Sequence, residues 1–445
     1  MPNTQGPMTN DTPSSALIDK CVHCGFCLPT CPTYLLWGEE MDSPRGRIYL
    51  MKAGIEGRVD TTSLFVEHFD RCLGCLACVT ACPSGVQYAP LIEKQRAQIE
   101  HRYTRDNGDA LFRSLLMAIV PYPWRMRIVM LPLLLLGPLL RTMTRAASAP
   151  ASTRPEGTEG SLWRRVTAAM RLAPPVSWRG LVDHVAEHTP AVGSERLKVG
   201  LLAGCVQRLS FGKVNHATVR VLAAEGCSVN APGSQGCCGA LPLHAGRIEQ
   251  ARSLARHNIE VFEKAGVDRI AVNAAGCGSA MKDYGELFAD DPAWAARAKA
   301  IAAKVRDVTE LLADLGEQRA VRRPLPARVV YHDACHLAHG QGVRTQPRAL
   351  LQGIPGIELL TPGESEICCG SAGIYNLVQP GPAAQLGARK VGHIAALSPD
   401  MIATANPGCT LQIAAAARGL GHDWPIFHPI ELIDASIHGV DPRSR

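Results

Sequence analysis

"CVHCGFCLPTCP" occupies residues 21–32 and "CLGCLACVTACP" residues 72–83, so one spacing of four cysteines and a proline is written twice, 51 residues apart. Both stretches read C-x2-C-x2-C-x3-C-P. Three thiols at i, i+3 and i+6 on a tight loop can each reach one iron of a cubane, and Gly25 and Gly74 give the backbone room where its amides point at sulfide. Four-cysteine zinc sites are the ordinary alternative, but they draw two ligands from each of two knuckles. A three-plus-one arrangement with proline fits them poorly.

The spacing is that of the bacterial two-cluster ferredoxin run, in which the fourth cysteine ligates the other cluster. It predicts two [4Fe-4S] clusters, one on Cys21, Cys24, Cys27 and Cys82, the other on Cys72, Cys75, Cys78 and Cys31. The crossing would staple the two phrases together. Between them, "SPRGRIYLMKAG" at residues 43–54 should begin a helix. Its Arg45 and Arg47 either neutralise cluster charge or meet a partner, or they lie on a solvated helix start.

The chain has 445 residues, 46% of them hydrophobic, and 17 cysteines, enough for two or three domains with real cores. Its first 20 residues show neither a basic n-region nor an apolar h-region, so a cytoplasmic setting with reduced, metal-binding thiols is expected. A net charge of +6 is too modest to suggest nucleic acid as a partner. Residues 102–179 nevertheless hold twelve Arg, no Lys and four acidic residues. Within them, "LFRSLLMAIVPYPWRMRIVMLPLLLLGPLLRTMTRAA" at 111–147 is broken by Pro121, Pro123, Pro132 and Pro138, and its longest uncharged run after Arg127 is 13 residues. That falls short of the roughly 20 needed to span a bilayer. It reads either as helices buried against the protein or as an arginine-flanked surface lying on an anionic membrane or a membrane partner. Residues 146–160 read as a flexible linker.

After Leu197 short apolar strands alternate with helical stretches, and the cysteines recur. Cys205, Cys237 with Cys238, and Cys277 are followed 130, 131 and 132 residues later by Cys335, Cys368 with Cys369, and Cys409. That near-constant offset marks an internal duplication. Each set falls just past an apolar strand, at the carboxyl edge of an open sheet, and supplies four thiols, enough for one metal centre. Gly239 and Gly370 should let the loop turn both adjacent sulfurs inward. Cys227, whose counterpart is Ile357, reads as a buried thiol, and His332, His336 and His339 as hydrogen-bonded scaffolding more than as ligands. The expected fold class is α+β and α/β. It comprises an N-terminal helical two-cluster ferredoxin-type domain (15–100), a basic apolar helical region with a linker (101–195), and two Rossmann-like α/β cysteine-rich units (196–320 and 321–445).

Two ferredoxin phrases followed by two cysteine-cysteine-glycine units resemble the iron-sulfur subunits that partner flavin-dependent hydroxy-acid dehydrogenases, the glycolate oxidase iron-sulfur subunits above all. The resemblance rests on the two phrases and on "NAAGCGSAMKDYG", "HDACHLAHGQGVR" and "CCGSAGIYN". It implies an electron-transfer subunit with no catalytic residue of its own. An FAD-containing partner would oxidise glycolate to glyoxylate, and a membrane quinone would receive the electrons at the inner face of the cytoplasmic membrane. Iron-sulfur subunits of D-lactate or glycerol-3-phosphate dehydrogenases are the alternative, as is a heterodisulfide-reductase-like thiol/disulfide enzyme. In that last group the unit ends in CxxC, whereas Ala280 and Gln412 stand here in place of the fifth thiol. The resemblance leaves room for further iron-sulfur centres in both units.

Overall fold

The computed structural model describes residues 12–132, 134, 162–173 and 181–444. The expected linker at 146–160 and most of the apolar stretch beyond residue 132 lie outside the described residues.

The N-terminal region is helical. Its short helices start where the sequence supplies caps: Pro32 opens Pro32–Trp37 directly after Cys31, and Ser43 accepts a hydrogen bond from the Gly46 amide ahead of Pro44–Ile55. These helices, with Ser63–Asp70 and Tyr88–Arg102, close on a core of Ile48, Met51, Phe65, Phe69, Leu91 and Ile92. The solvated reading of Arg47 is overturned. Its helix leans this face onto Ser63–Asp70, leaving the side chain 1% exposed, with Nε donating to the His68 carbonyl at 2.6 Å and a pair to buried Asp42 at 3.3 Å. Arg45 remains part-exposed, paired with Glu40 at 2.7 Å and donating to the His23 carbonyl at 2.9 Å.

The described part of the basic middle is helical, partly buried and partly exposed. Asp106 caps the helix Asn107–Ile119, and the chain is helical again over 123–132. Met117 and Met130 are buried, while Leu111, Leu115, Trp124, Ile128, Val129 and Leu131 face solvent. Part of the positive charge is internal: Arg105, Arg113 and Arg165 all reach Asp109, at 3.4, 2.9 and 2.6 Å. Among the described residues no helix is long and apolar enough to cross a membrane.

The remainder is α/β, built on two sheets. The first runs β1-β3-β2-β4-β5, from β1 (His188–Thr189), β2 (Leu197–Leu202), β3 (Cys227–Asn230), β4 (Arg269–Val272) and β5 (Val305–Asp307). The second runs β7-β6-β8-β9, from β6 (Ala327–His332), β7 (Ile357–Leu360), β8 (Met401–Thr404) and β9 (Ile426–Phe427). Apart from antiparallel β1, all pairings are parallel. The duplication extends to register: Leu197 faces Cys227 as Ala327 faces Ile357, and Val199 faces Arg269 as Val329 faces Met401. The two units share a core that runs from Val199 and Leu222 through Val329 to Ile433. Their post-strand loops are joined as well, the Ala275 amide donating to the Ala405 carbonyl at 3.0 Å.

Candidate metal centres

Each N-terminal phrase bends its chain in the same way. The third and fifth positions are left-handed in both: His23 (φ 53°) and Gly25 (φ 90°) in the first, Gly74 (φ 62°) and Leu76 (φ 63°) in the second. One glycine per phrase takes this conformation without steric cost, and the other residue bears about 1–2 kcal/mol of it. The alternation gathers the sulfurs. Cys21, Cys24, Cys27 and Cys82 line one cavity, with Cys78, Val22, Phe26 and Val86 among its walls. Cys24 is exposed and Cys21, Cys27 and Cys82 are half-buried, so this set lies near the surface.

The other set lies deeper, with Cys31, Cys72 and Cys75 buried. Burial, reinforced by surrounding thiols that include Cys31 and Cys72, pushes Cys75 and Cys78 well above the ordinary thiol range. Burial acts the same way on Cys72, but the guanidinium groups of Arg47 and Arg96 outweigh it and hold this thiol low, helped by the Gly74 amide, which donates to its sulfur at 3.4 Å. Arg47 therefore faces the deeper set, Cys82 stands with Cys21, Cys24 and Cys27 at the outer cavity, and Cys78 adjoins both sets.

In the first unit the Cys205 and Cys237 sulfurs are 3.5 Å apart, and Cys238 adjoins Cys277. In the second, Cys335 and Cys368 are 4.0 Å apart, and donor atoms of Cys369, Cys409 and His332 all lie within 4.8 Å of one another. Cys277 and Cys409 stand in the first turns of helices Ala275–Lys282 and Pro407–Gly419, directly after β4 and β8. Gly239 (φ 86°) and Gly370 (φ 92°) are left-handed, as the paired cysteines require. They also closely meet the long helices Ile248–Ala265 and Pro380–Ala395: a Cβ would stand 3.0 Å from the Ala251 oxygen and 2.8 Å from that of Ala383. Cys227 is fully buried at the start of β3.

The three histidines part ways. His339 is scaffolding, its Nδ1 paired with Thr80 Oγ1 at 2.8 Å and with Arg344 at 2.9 Å. His336 Nδ1 lies 3.5 Å from the Cys335 sulfur. His332, 1% exposed, finds no backbone or oxygen partner at either ring nitrogen and stands among the thiols beside Cys369, contrary to the scaffolding reading. Comparing the two units would have flagged it, because the residue 130 positions earlier is Leu202.

The sets adjoin one another. Leu73, Cys75, Ala77, Cys335, Cys368 and Tyr375 form one apolar cluster, so the deeper N-terminal set abuts the second unit. Asn406 links the units, accepting from the Gly276 amide at 3.3 Å and donating to the Cys409 sulfur at 3.6 Å. Toward the first unit, Arg96 donates to the His244 carbonyl at 3.0 Å, and Gly246 lies so close to Arg96 that a Cβ would stand 2.6 Å from its carbonyl oxygen.

These donor sets suit iron-sulfur clusters. Their converging donors are thiols on tight loops, and thiols whose ionisation burial opposes become stable thiolates once a cation compensates them. Fold and sites together define an iron-sulfur electron-transfer protein. Comparison with known proteins agrees: residues 17–86 match the 4Fe-4S dicluster domain, and 199–282 and 329–414 each match the cysteine-rich domain. The chain is 35% identical to the probable glycolate oxidase iron-sulfur subunit of Bacillus subtilis over 93% of both chains. It is 34% identical to the glycolate oxidase iron-sulfur subunit of Escherichia coli over 95% of both. Lactate utilization protein A of an Exiguobacterium species is 31% identical across 54% of this chain and 98% of its own length. The chain belongs to the family of glycolate oxidase iron-sulfur subunits.

Proposed function

We propose that this chain is the electron relay of a flavin-dependent glycolate-oxidising complex, carrying two [4Fe-4S] clusters and a further iron-sulfur centre in each cysteine-rich unit. Cys21, Cys24, Cys27 and Cys82 hold the outer cluster, and Cys31, Cys72, Cys75 and Cys78 the inner one. Cys335, Cys368, Cys369 and Cys409 serve the second unit, and Cys205, Cys237, Cys238 and Cys277 the first. Bound in these sets, iron-sulfur clusters accept and release electrons one at a time, which lets a two-electron flavin on a partner serve a distant acceptor. The working units are residues 15–100, 101–195, 196–320 and 321–445.

One observation carries the reading: Cys75 of the inner set shares a wall with Cys335 and Cys368. With Asn406 bridging the two units, the four sets follow one another from the exposed Cys24 inward. The residues between keep water out, Leu73, Ala77, Tyr375 and Leu386 all being buried. Arg47 offsets the negative charge that builds up beside Cys31 and Cys72. The solvent-facing row from Leu111 to Leu131 supports peripheral docking on the inner face of the cytoplasmic membrane, where a quinone acceptor would be met.

The test is to purify the complex anaerobically and follow visible cluster absorbance on adding glycolate, with D-lactate for comparison. Glycolate should bleach it. Bleaching by D-lactate alone would move the substrate, and bleaching by neither would overturn the flavin donor. Cys75→Ser should abolish quinone turnover while flavin reduction persists, and undiminished quinone turnover would refute the relay.

A further inference from the structure

We propose that His332 is a metal ligand, its imidazole joining Cys335, Cys368, Cys369 and Cys409 in a mixed nitrogen and sulfur set on the second unit's iron-sulfur centre, while the first unit's set is sulfur alone. The inference rests on the reading that this unit holds such a centre. His332 is the last residue of β6, beside Thr404 on β8, at the carboxyl edge that carries Cys335 and Cys409. Its ring reaches Cys369 and Cys409 with donor atoms no more than 4.8 Å apart. The side chain is 1% exposed, neither ring nitrogen meets a backbone or oxygen partner, and the polar group its imidazole interacts with is the Cys369 thiol.

The first unit shows what the same position does without a ligand. Leu202, the residue equivalent by strand register, belongs to the same buried apolar cluster as Cys205, Cys237 and Cys238. The position thus lies in the thiol-bearing core in both copies, and in one copy it is apolar. An imidazole is a neutral donor where a thiolate is an anion. Histidine in place of thiolate raises the reduction potential of iron-sulfur centres, so the centre carrying His332 should sit above the same centre with a cysteine at that position.

The test uses the complex purified anaerobically with its flavoprotein, the chain carrying natural or 15N-labelled histidine, poised over a range of potentials and examined by pulsed electron paramagnetic resonance. The expected result is a directly bonded nitrogen whose coupling changes on 15N labelling and vanishes in His332→Leu, the residue the first unit carries. His332→Cys should restore a centre with no nitrogen coupling and a lower midpoint potential. An unchanged spectrum and midpoint in His332→Leu would overturn the proposal. So would a signal that is lost in Cys409→Ser yet carries no histidine nitrogen in the wild type. Iron content unchanged by Cys409→Ser, or zinc lost in its place, would instead refute the iron-sulfur reading of this unit and take the proposal with it.

Discussion

Gly370→Ala tests the geometry of the paired cysteines most directly. Gly370 has φ 92°, and an added Cβ would lie 2.8 Å from the Ala383 carbonyl oxygen and 3.1 Å from Leu386 Cβ. A left-handed conformation costs an alanine about 1–2 kcal/mol. The forced displacement against helix backbone adds about 1–3 kcal/mol. Together, about 2–5 kcal/mol bears on the loop that aims Cys368 and Cys369, and 2 kcal/mol alone is roughly a 30-fold change in equilibrium. Gly239→Ala should act in the same direction but less, since its nearest atom, the Ala251 oxygen, is 3.0 Å away. Gly392→Ala is the control: it lies within the helix Pro380–Ala395 with nothing inside 4 Å, and should gain about 0.5–1 kcal/mol. Iron and acid-labile sulfide per chain after anaerobic purification, together with the melting temperature, read out all three. Gly370→Ala should lose part of its iron and melt lower. If it matched Gly392→Ala in both, the argument that this glycine positions the thiols would be refuted.

Other consequences can be measured independently. Asp42→Ala leaves Arg47 buried without its carboxylate and should cost about 3–5 kcal/mol, seen as a lower melting temperature. His428 accepts from the Ile430 amide at 3.0 Å as the cap of its helix, and burial depresses its pKa to about 3. Folding therefore requires the neutral ring, and its stabilisation, whole above about pH 6.5, is lost as pH falls toward 3 at roughly 1.4 kcal/mol per unit. His428→Asn, which keeps a cap acceptor, should flatten that acid limb of melting temperature against pH; an unchanged slope would contradict the assignment. Replacing Leu111, Leu115, Trp124 and Ile128 with Ser should abolish flotation with anionic vesicles while leaving cluster absorbance intact, and retained flotation would rule out this row as the membrane contact.

Local chemistry was legible in the sequence because it is written at short range. Cysteine spacing, proline after the fourth cysteine and glycine beside the pairs each constrain a few consecutive residues, and a 130-residue offset reveals a repeat without any contact being known. Docking was not legible. That the deeper N-terminal set would meet the second unit depends on Thr80 meeting His339 and on Cys75 finding Cys335, pairings that no periodicity announces. For a related reason the sequence leaves Arg47 between a charge-neutralising and a solvated reading. A basic residue on an early helical turn normally faces water, and only Asp42 and the His68 carbonyl, gathered around it by folding, make its burial tolerable. The histidines failed as a class because three residues of one type near one cysteine have three different environments.

The wall behind Cys75 also sets a timetable for synthesis. Cys335, Cys368 and Tyr375 are made 260 to 300 residues after Cys75. At about 5–20 residues per second, translation leaves that cysteine without its cover for roughly 13–60 s. During that interval the nascent N-terminal segment presents an apolar, thiol-bearing face to oxygen and to other chains. A cell making this protein in air must shield that face or deliver iron late, and a fragment ending near residue 100 would never acquire the cover at all.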